Sequence, residues 1–186
     1  MRPVLLLTLL ALGACVRMDN TASNAADCSR SATHEVTWSG EAPDVITARA
    51  EGPSCAQAVV TWVARNANGD PLWAFASTYY DMSMGGMPPE GAPPVSSEQM
   101  DRFLSDWANV SLMRTTELPE WREGVATLTE SATTFAYDSP FDRETYEMLR
   151  TRDLPMLCFA SAVEAADCLI VDPLSRAPTR IVSYGP

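Results

Sequence analysis

The sequence predicts an α+β fold in which antiparallel β-hairpins form a sheet, two amphipathic helices pack on that sheet, and disulfides staple the body together. Three observations lead to this prediction. Several segments alternate apolar and polar residues with the period of a β-strand, and turn residues separate them. Two segments have the apolar spacing and the start signals of helices. When Cys15 is set aside, the other four cysteines are an even number and can form two disulfides.

The first predicted strands lie in the amino-terminal part of the chain. Apolar residues alternate with polar ones at 34–38, and 44–51 is a second strand candidate. Segments 56–66 and 71–80 flank Asn68-Gly69-Asp70, which is the pattern of a β-hairpin. Because apolar side chains occupy both faces of 71–80, we expect a central strand that is covered on both sides.

Two helices are predicted from their start signals. Ser96 and Gln99 form a capping box, after which apolar side chains recur at helical spacing, at Met100, Phe103, Leu104 and Trp107. In the second helix, Ser139-Pro140-Phe141-Asp142 supplies a cap, a proline at the first helical position and an acid in the first turn. That helix must end before Pro155. Four prolines in 81–94 exclude regular structure there.

The remaining strands are predicted near the carboxyl end. Segment 125–137 is rich in Thr, Val, Phe and Tyr, which favours a strand. Segments 156–162 and 167–172 form a hairpin, and 179–184 is the last strand. Residues 28–186 are thus expected to form the globular body, for which we also consider a division into subdomains 28–81 and 96–186.

The first fourteen residues have the pattern of an export signal. Arg2 gives a short positive start, and 4–12 is an apolar run that is too short to span a bilayer. Leu12-Gly13-Ala14-Cys15 resembles the lipobox of bacterial lipoproteins. The resemblance implies that 1–14 is a removed signal peptide and that Cys15 carries lipid. The alternative is an ordinary secretory leader that is cut near the same place.

The polar stretch that follows Cys15 is typical of a flexible tether, so 15–27 is expected to link the anchor to the body. Val16 follows the lipidated position, and in the proteobacterial sorting pattern an Asp there favours inner-membrane retention. The resemblance therefore implies an outer-membrane anchor with the body facing the periplasm.

The remaining cysteines are expected to form two disulfides, since an exported protein meets an oxidising compartment. Three pairings of four cysteines are possible. Local organisation favours Cys28 with Cys55 and Cys158 with Cys168. No CxxC spacing indicates a redox or zinc motif.

The charge of the chain restricts its partners. The sequence has 24 acidic and 13 basic residues, with a net charge of -11. Such a surface repels nucleic acid and anionic lipid head groups, so membrane attachment must come from the lipid. It would instead attract a basic envelope protein, in a way that resembles the logic of periplasmic lysozyme inhibitors. No inhibitory motif is present, and the alternative is solvated acidity without a partner.

Catalytic residues are not indicated with any specificity. The single histidine, His34, lies in a predicted strand, and no GxSxG motif supports a serine triad. A hydrolase that uses paired carboxylates would have candidates in Glu117, Glu120, Glu123 and Glu130. With 24 acids in the chain, a solvated acidic surface is the competing interpretation. We therefore expect a non-enzymatic binding or structural module without a cofactor.

The methionine-rich segment offers one alternative function. Thioethers favour Cu(I), and Met82, Met84 and Met87 surround Gly85-Gly86. In an extended chain, residues two apart project to the same side, and the glycines could fold Met87 toward them. This spacing permits a Cu(I) site. The competing interpretation is that these side chains are apolar packing at the end of a strand.

Overall fold

The computed structural model describes residues 27–87, 90–91, 94–132 and 135–185. Within these residues the chain forms two antiparallel sheets and four α-helices, which confirms the α+β class. The predicted signal peptide 1–14, Cys15 and the tether up to residue 26 lie outside the described residues, so those assignments stay predictions. Among the described helices, none has the length and apolar character needed to cross a bilayer.

Sheet A is a four-stranded meander built from the amino-terminal strands. In chain order these are β1 (Cys28–Val36), β2 (Asp44–Gly52), β3 (Val59–Arg65) and β4 (Pro71–Thr78). Each strand pairs with the next, so the predicted hairpin between β3 and β4 is confirmed. Its turn is held by Asn66, whose Oδ1 accepts hydrogen bonds from the backbone N–H groups of Asn68 and Asp70.

The expectation of a central strand at 71–80 is wrong, because β4 is an edge strand of sheet A. Its half-buried Trp73 and Phe75 pack against the core, whereas Ala74 and Ala76 on the opposite face are exposed. Alanine counts as apolar in a sequence pattern, but its methyl group is small enough to stand in water at little cost.

Sheet B is built from five strands in the order β5-β7-β8-β9-β6. These are β5 (Ser111–Arg114), β6 (Ala136–Asp138), β7 (Pro155–Ala162), β8 (Ala165–Val171) and β9 (Pro178–Gly185). The predicted hairpin and last strand are confirmed as β7, β8 and β9. The strand β5 was not predicted, because four residues are too few for the alternation to be recognised.

The four helices are α1 (Tyr79–Met84), α2 (Ser97–Ala108), α3 (Leu128–Ser131) and α4 (Arg143–Arg150). The capping box of α2 is confirmed, since Ser96 Oγ accepts from Gln99 N at 3.2 Å and Gln99 Oε1 accepts from Ser96 N at 2.8 Å. Three of the four apolar side chains predicted for α2 are buried, and Phe103 is half-buried against the same core.

Two segments contain helices where the sequence predicted none. The prolines of 81–94 predicted irregular structure, but the helix α1 continues to Met84 in this segment. It ends at Gly85, which has a positive φ of 72° and precedes all of those prolines. Thr78 caps this helix by accepting a hydrogen bond from Asp81 N. In 125–137 a strand was expected, but Thr127 caps the short helix α3, and among the described residues of this segment β6 does not begin until Ala136. Local side-chain capping overrides β-propensity in 125–137, whereas in 81–94 the capped helix is complete before the first proline.

The second predicted helix exists, but it starts later than expected. Its cap is Asp142, whose Oδ1 accepts from Thr145 N at 2.8 Å, and not Ser139. Ser139 Oγ instead donates to the carbonyl oxygen of Ile181 in β9, at 2.8 Å. The proline that follows Ser139 therefore lies in the approach to α4.

The two sheets meet through aromatic side chains. Trp62 in β3 stacks on Phe159 in β7 with ring centroids 4.5 Å apart, and Phe75 packs edge-on against Phe159. One buried cluster thus contains residues of both sheets and of α2, and a second lies between sheet B and α4. The first cluster combines residues from 28–81 and from 96–186. The division of the body into two subdomains with these ranges stays a prediction.

Both expected disulfides are formed. Cys28 joins Cys55 with Cα atoms 4.8 Å apart, and Cys158 joins Cys168 with Cα atoms 4.1 Å apart. The second pair links residues that lie directly opposite each other on β7 and β8. Each disulfide therefore staples one sheet: the first fastens β1 to the turn before β3, and the second crosses the central hairpin of sheet B.

Candidate functional site

A row of side chains crosses four strands of sheet B on the face that points away from sheet A. Ala160 in β7 pairs with Ala166 in β8, Ala166 pairs with Tyr184 in β9, and Tyr184 pairs with Tyr137 in β6. The next row along the strands is buried with side chains of α4 in the second cluster. The row itself is half-buried or exposed. We call these four residues and Phe135 the tyrosine surface.

The aromatic rings of the tyrosine surface contact one another. Tyr137 and Tyr184 have ring centroids 5.3 Å apart, and Phe135 lies 5.8 Å from Tyr184. Phe135 is 47% exposed, so an apolar ring stands in water at this point. Partial burial, together with the neighbouring Tyr184, raises the pKa of the Tyr137 hydroxyl above its ordinary value. Tyr137 is therefore a neutral hydrogen-bonding group at physiological pH.

Four grooves border the tyrosine surface, and three of them are mainly apolar. The largest, about 560 Å³, runs beside Phe135 and Tyr184 over the alanines at the tip of the β7–β8 hairpin. A second groove of about 240 Å³ also touches Ala160, Ala166 and Tyr184, and extends to Trp107 of α2. The third, about 400 Å³, lies between Tyr137, Trp121 and the helix α3. Volumes of this size suit ligands or side chains of a partner.

Among the described residues, each of these three grooves is lined by one carboxylate and by no basic side chain, whereas the fourth, polar groove beside Tyr137 is lined by Glu117, Glu120 and Arg122. The carboxylates of the three apolar grooves are Glu164 in the largest groove, Asp106 in the second and Asp138 in the third. In the part of the chain that the structure describes, none of the three forms an ion pair. The surface is therefore apolar and aromatic in the middle and negatively charged at its border.

Three features of the fold fix the position of the tyrosine surface. Trp107 Nε1 donates a hydrogen bond to the carbonyl oxygen of Ala160, at 2.8 Å, which fixes α2 against β7. Glu164 occupies the β7–β8 turn with a positive φ of 60°, which places it at the end of the largest groove. At Gly185 a Cβ atom would approach that of Ala165 to 3.2 Å, so β9 and the hairpin are closely packed.

The glutamates that we considered for hydrolysis are not set up as an acid and a base. Glu117 Oε1 accepts from the backbone N–H of Arg114 at 2.6 Å, and Glu130 Oε2 accepts from that of Ala126 at 3.3 Å. All four are exposed. Glu117 and Glu120 do line one polar groove of about 380 Å³, together with Arg122. Among the described residues, no apolar pocket surrounds Glu117 or Glu120. Such a pocket is what raises the pKa of a general acid above that of its ionised partner.

His34 lies exposed on β1, which is the free edge of sheet A. Its register partner is Ile46 on β2. Within the described ranges, no three His, Cys, Asp or Glu side chains are close enough together to hold a metal ion. Among these residues the single histidine thus belongs to no set of metal ligands.

The three methionines occupy different environments. Met82 is 6% exposed and belongs to the first buried cluster, whereas Met84 is 57% and Met87 is 91% exposed. The premise of an extended chain is wrong, because Met82 and Met84 lie in the helix α1. Residues two apart on a helix are rotated by about 200° about its axis, so their side chains point to nearly opposite sides. This geometry favours packing for Met82, and the Cu(I) site stays a prediction that the helix weakens.

Sequence reasoning did not find the tyrosine surface. Its members come from separate strands and meet only because of the register of β7, β8, β9 and β6. The sequence does contain part of the signal, since Tyr137 and Tyr184 are aromatic residues in strand-like segments. The pairing of those two segments could not be inferred from spacing.

Comparison with protein-family models, with curated protein sequences and with solved structures finds no match to this chain.

For copper, we predict that the methionines act as packing. Competition against a Cu(I) chelator should give the same affinity for the native chain and for the variant with Met82→Leu, Met84→Leu and Met87→Leu. Met82→Ala alone should lower the free energy of unfolding by about 2–4 kcal/mol, because it opens a cavity in the core. Met84→Ala and Met87→Ala should change it by less than about 0.5 kcal/mol. Tighter Cu(I) binding by the native chain would restore the metal site.

Proposed function

We propose that this chain is a lipid-anchored, non-enzymatic protein of the cell envelope that binds a partner at the tyrosine surface. The anchor is lipid on Cys15, and the body faces the periplasm from the outer membrane. The observation that carries the binding proposal is the row Ala160, Ala166, Tyr184 and Tyr137, which α4 leaves uncovered. Exposed apolar surface that is bordered by polar groups is typical of interaction sites.

The lipid anchor is supported by the leader and by the cysteines. Leu12-Gly13-Ala14-Cys15 has the small residues before cysteine that a lipobox requires. The four other cysteines are consumed in two disulfides, which leaves Cys15 as the odd one. Disulfides also fit an oxidising compartment outside the cytoplasm.

Binding is favoured over catalysis by the groups that the surface presents. Its three apolar grooves offer phenol rings, methyl groups, hydroxyls and single carboxylates, and the one cysteine that lines them is in a disulfide. A nucleophile next to a base, or two carboxylates in unlike environments, would favour a reaction. Aromatic rings with adaptable polar neighbours are instead the usual anchors of recognition surfaces.

The anchor can be tested by lipid labelling. In a bacterial host that is fed an alkyne-tagged fatty acid, the native chain should incorporate the label and stay with membranes after a high-salt wash. Cys15→Ser should lose the label, because the thiol that carries the diacylglyceryl group is gone. Cys55→Ser, which removes a different cysteine, should keep it. A labelled Cys15→Ser chain, or an unlabelled native chain, would refute the anchor.

The binding surface can be tested with indole as a neutral aromatic probe. Added to the full chain in nonionic micelles, indole should shift the methyl NMR signals of Ala165 and Ala166 but not those of Ala74. Ala160→Gln fills the groove and should weaken this binding by about tenfold, equivalent to roughly 1.4 kcal/mol.

The matched control is Ala76→Gln, which places the same side chain at an exposed alanine of sheet A and should leave the indole affinity unchanged. Equal shifts at Ala74 and Ala166, or an unchanged affinity in Ala160→Gln, would show that the tyrosine surface is not a binding site.

A further inference from the structure

We infer that the partner is a basic protein, of which an extended segment with alternating Arg or Lys and aromatic side chains lies across the tyrosine surface. This inference rests on the proposed function and adds the chemistry of the occupant. It follows from three properties of the site: the sign of the charge around it, its length, and the chemistry of its rings.

The charge argument comes from the three grooves. Glu164, Asp106 and Asp138 each line one groove, and no Arg side chain lines any of the three. Elsewhere in the described residues several acids are matched by Arg, as in the pairs Arg30–Asp101 and Arg114–Asp153. With Glu117 and Glu120 of the polar groove beside Tyr137, the border of this surface holds five carboxylates against one cation, Arg122. A cationic partner would complete it.

The length of the surface favours a polypeptide segment over a small molecule. The row of Ala160, Ala166, Tyr184 and Tyr137 crosses four neighbouring strands. At the usual spacing between strands, these side chains cover roughly 14 Å. An extended chain of about four to five residues has the same length. Grooves on both sides of the row then receive side chains that alternate along such a segment.

The rings favour a segment that carries Arg or Lys beside aromatic residues. A guanidinium or ammonium group is attracted to the face of a tyrosine ring, and more strongly where water is partly excluded. Tyr137 and Tyr184 are half-buried and Phe135 is exposed next to them, so both cationic and aromatic side chains find a surface to stack on. The carboxylates then contact the charged ends.

An anionic membrane surface fits the site less well. Phosphate head groups would meet the carboxylates of Glu164, Asp106 and Asp138, and like charges at short distance oppose binding. The net charge of -11 adds to this repulsion. The same charge attracts a basic protein over longer distances and speeds its encounter with the surface.

The test uses three acetylated, amidated five-residue peptides and calorimetric titration of the full chain in nonionic micelles, with titrations into empty micelles subtracted. The peptides are Arg-Phe-Arg-Phe-Arg, Glu-Phe-Glu-Phe-Glu and Arg-Ser-Arg-Ser-Arg. The Arg-Phe peptide should bind most tightly, because it alone satisfies both the carboxylates and the apolar grooves. The Glu-Phe peptide should not bind measurably.

Two variants with equal changes of charge separate the border of the site from overall charge. The border variant is Glu164→Gln, Asp106→Asn and Asp138→Asn, and it should weaken binding of the Arg-Phe peptide by about tenfold or more. The control variant is Asp27→Asn, Glu35→Gln and Glu41→Gln, whose exposed acids line none of the three grooves. It should weaken binding by less than about twofold.

Equal weakening by the two variants would overturn the inference, since net charge alone would then explain the attraction. Binding of the Glu-Phe peptide as tightly as the Arg-Phe peptide would also overturn it. If indole shifts the methyl signals of Ala166 but no peptide binds, the basic segment is wrong and the binding surface remains. If neither indole nor any peptide binds, the proposed function fails as well.

Discussion

The contact between Trp62 and Phe159 is the interaction on which the arrangement of this protein depends. The two rings stack at 4.5 Å and bring the inner face of sheet A against sheet B. Two tryptophan hydrogen bonds reinforce this contact: Trp62 Nε1 donates to the carbonyl oxygen of Trp107 at 3.2 Å, and Trp107 Nε1 donates to that of Ala160 at 2.8 Å. Buried indole N–H groups need such partners, so the two bonds fix α2 against β3 and β7.

The position of the tyrosine surface follows from this contact. Successive residues of a strand point to opposite faces, so Phe159 faces sheet A while Ala160 faces away from it. On that outer face α4 covers only the rows that contain its buried partners, and the row at Ala160 lies beyond them. The aromatic core and the proposed binding surface are therefore two sides of the same strand. A change in how the sheets pack would also move the grooves.

The sequence predicted those elements whose signals are local. The capping box at Ser96, the turn at Asn68-Gly69-Asp70, the strands β7, β8 and β9, and both disulfides depend on residues close together in the chain. Long-range pairing was not accessible in the same way. The edge position of β4, and the row that joins β7, β8, β9 and β6, are set by packing between distant segments. The tyrosine surface belongs to this second class, whereas the acids and methionines form patterns that are visible in the sequence itself.

The most direct test of the role of the Trp62–Phe159 stack is native-state amide hydrogen exchange on the native chain and on the chain with Phe159→Leu. If the stack joins both sheets into one cooperative unit, the slowest amides of β3 in sheet A and of β8 in sheet B should share one opening free energy in the native chain. The substitution should lower both values by the same amount, about 1–3 kcal/mol. A loss of protection confined to sheet B, with the amides of β3 unchanged, would contradict the account and favour two independent subdomains.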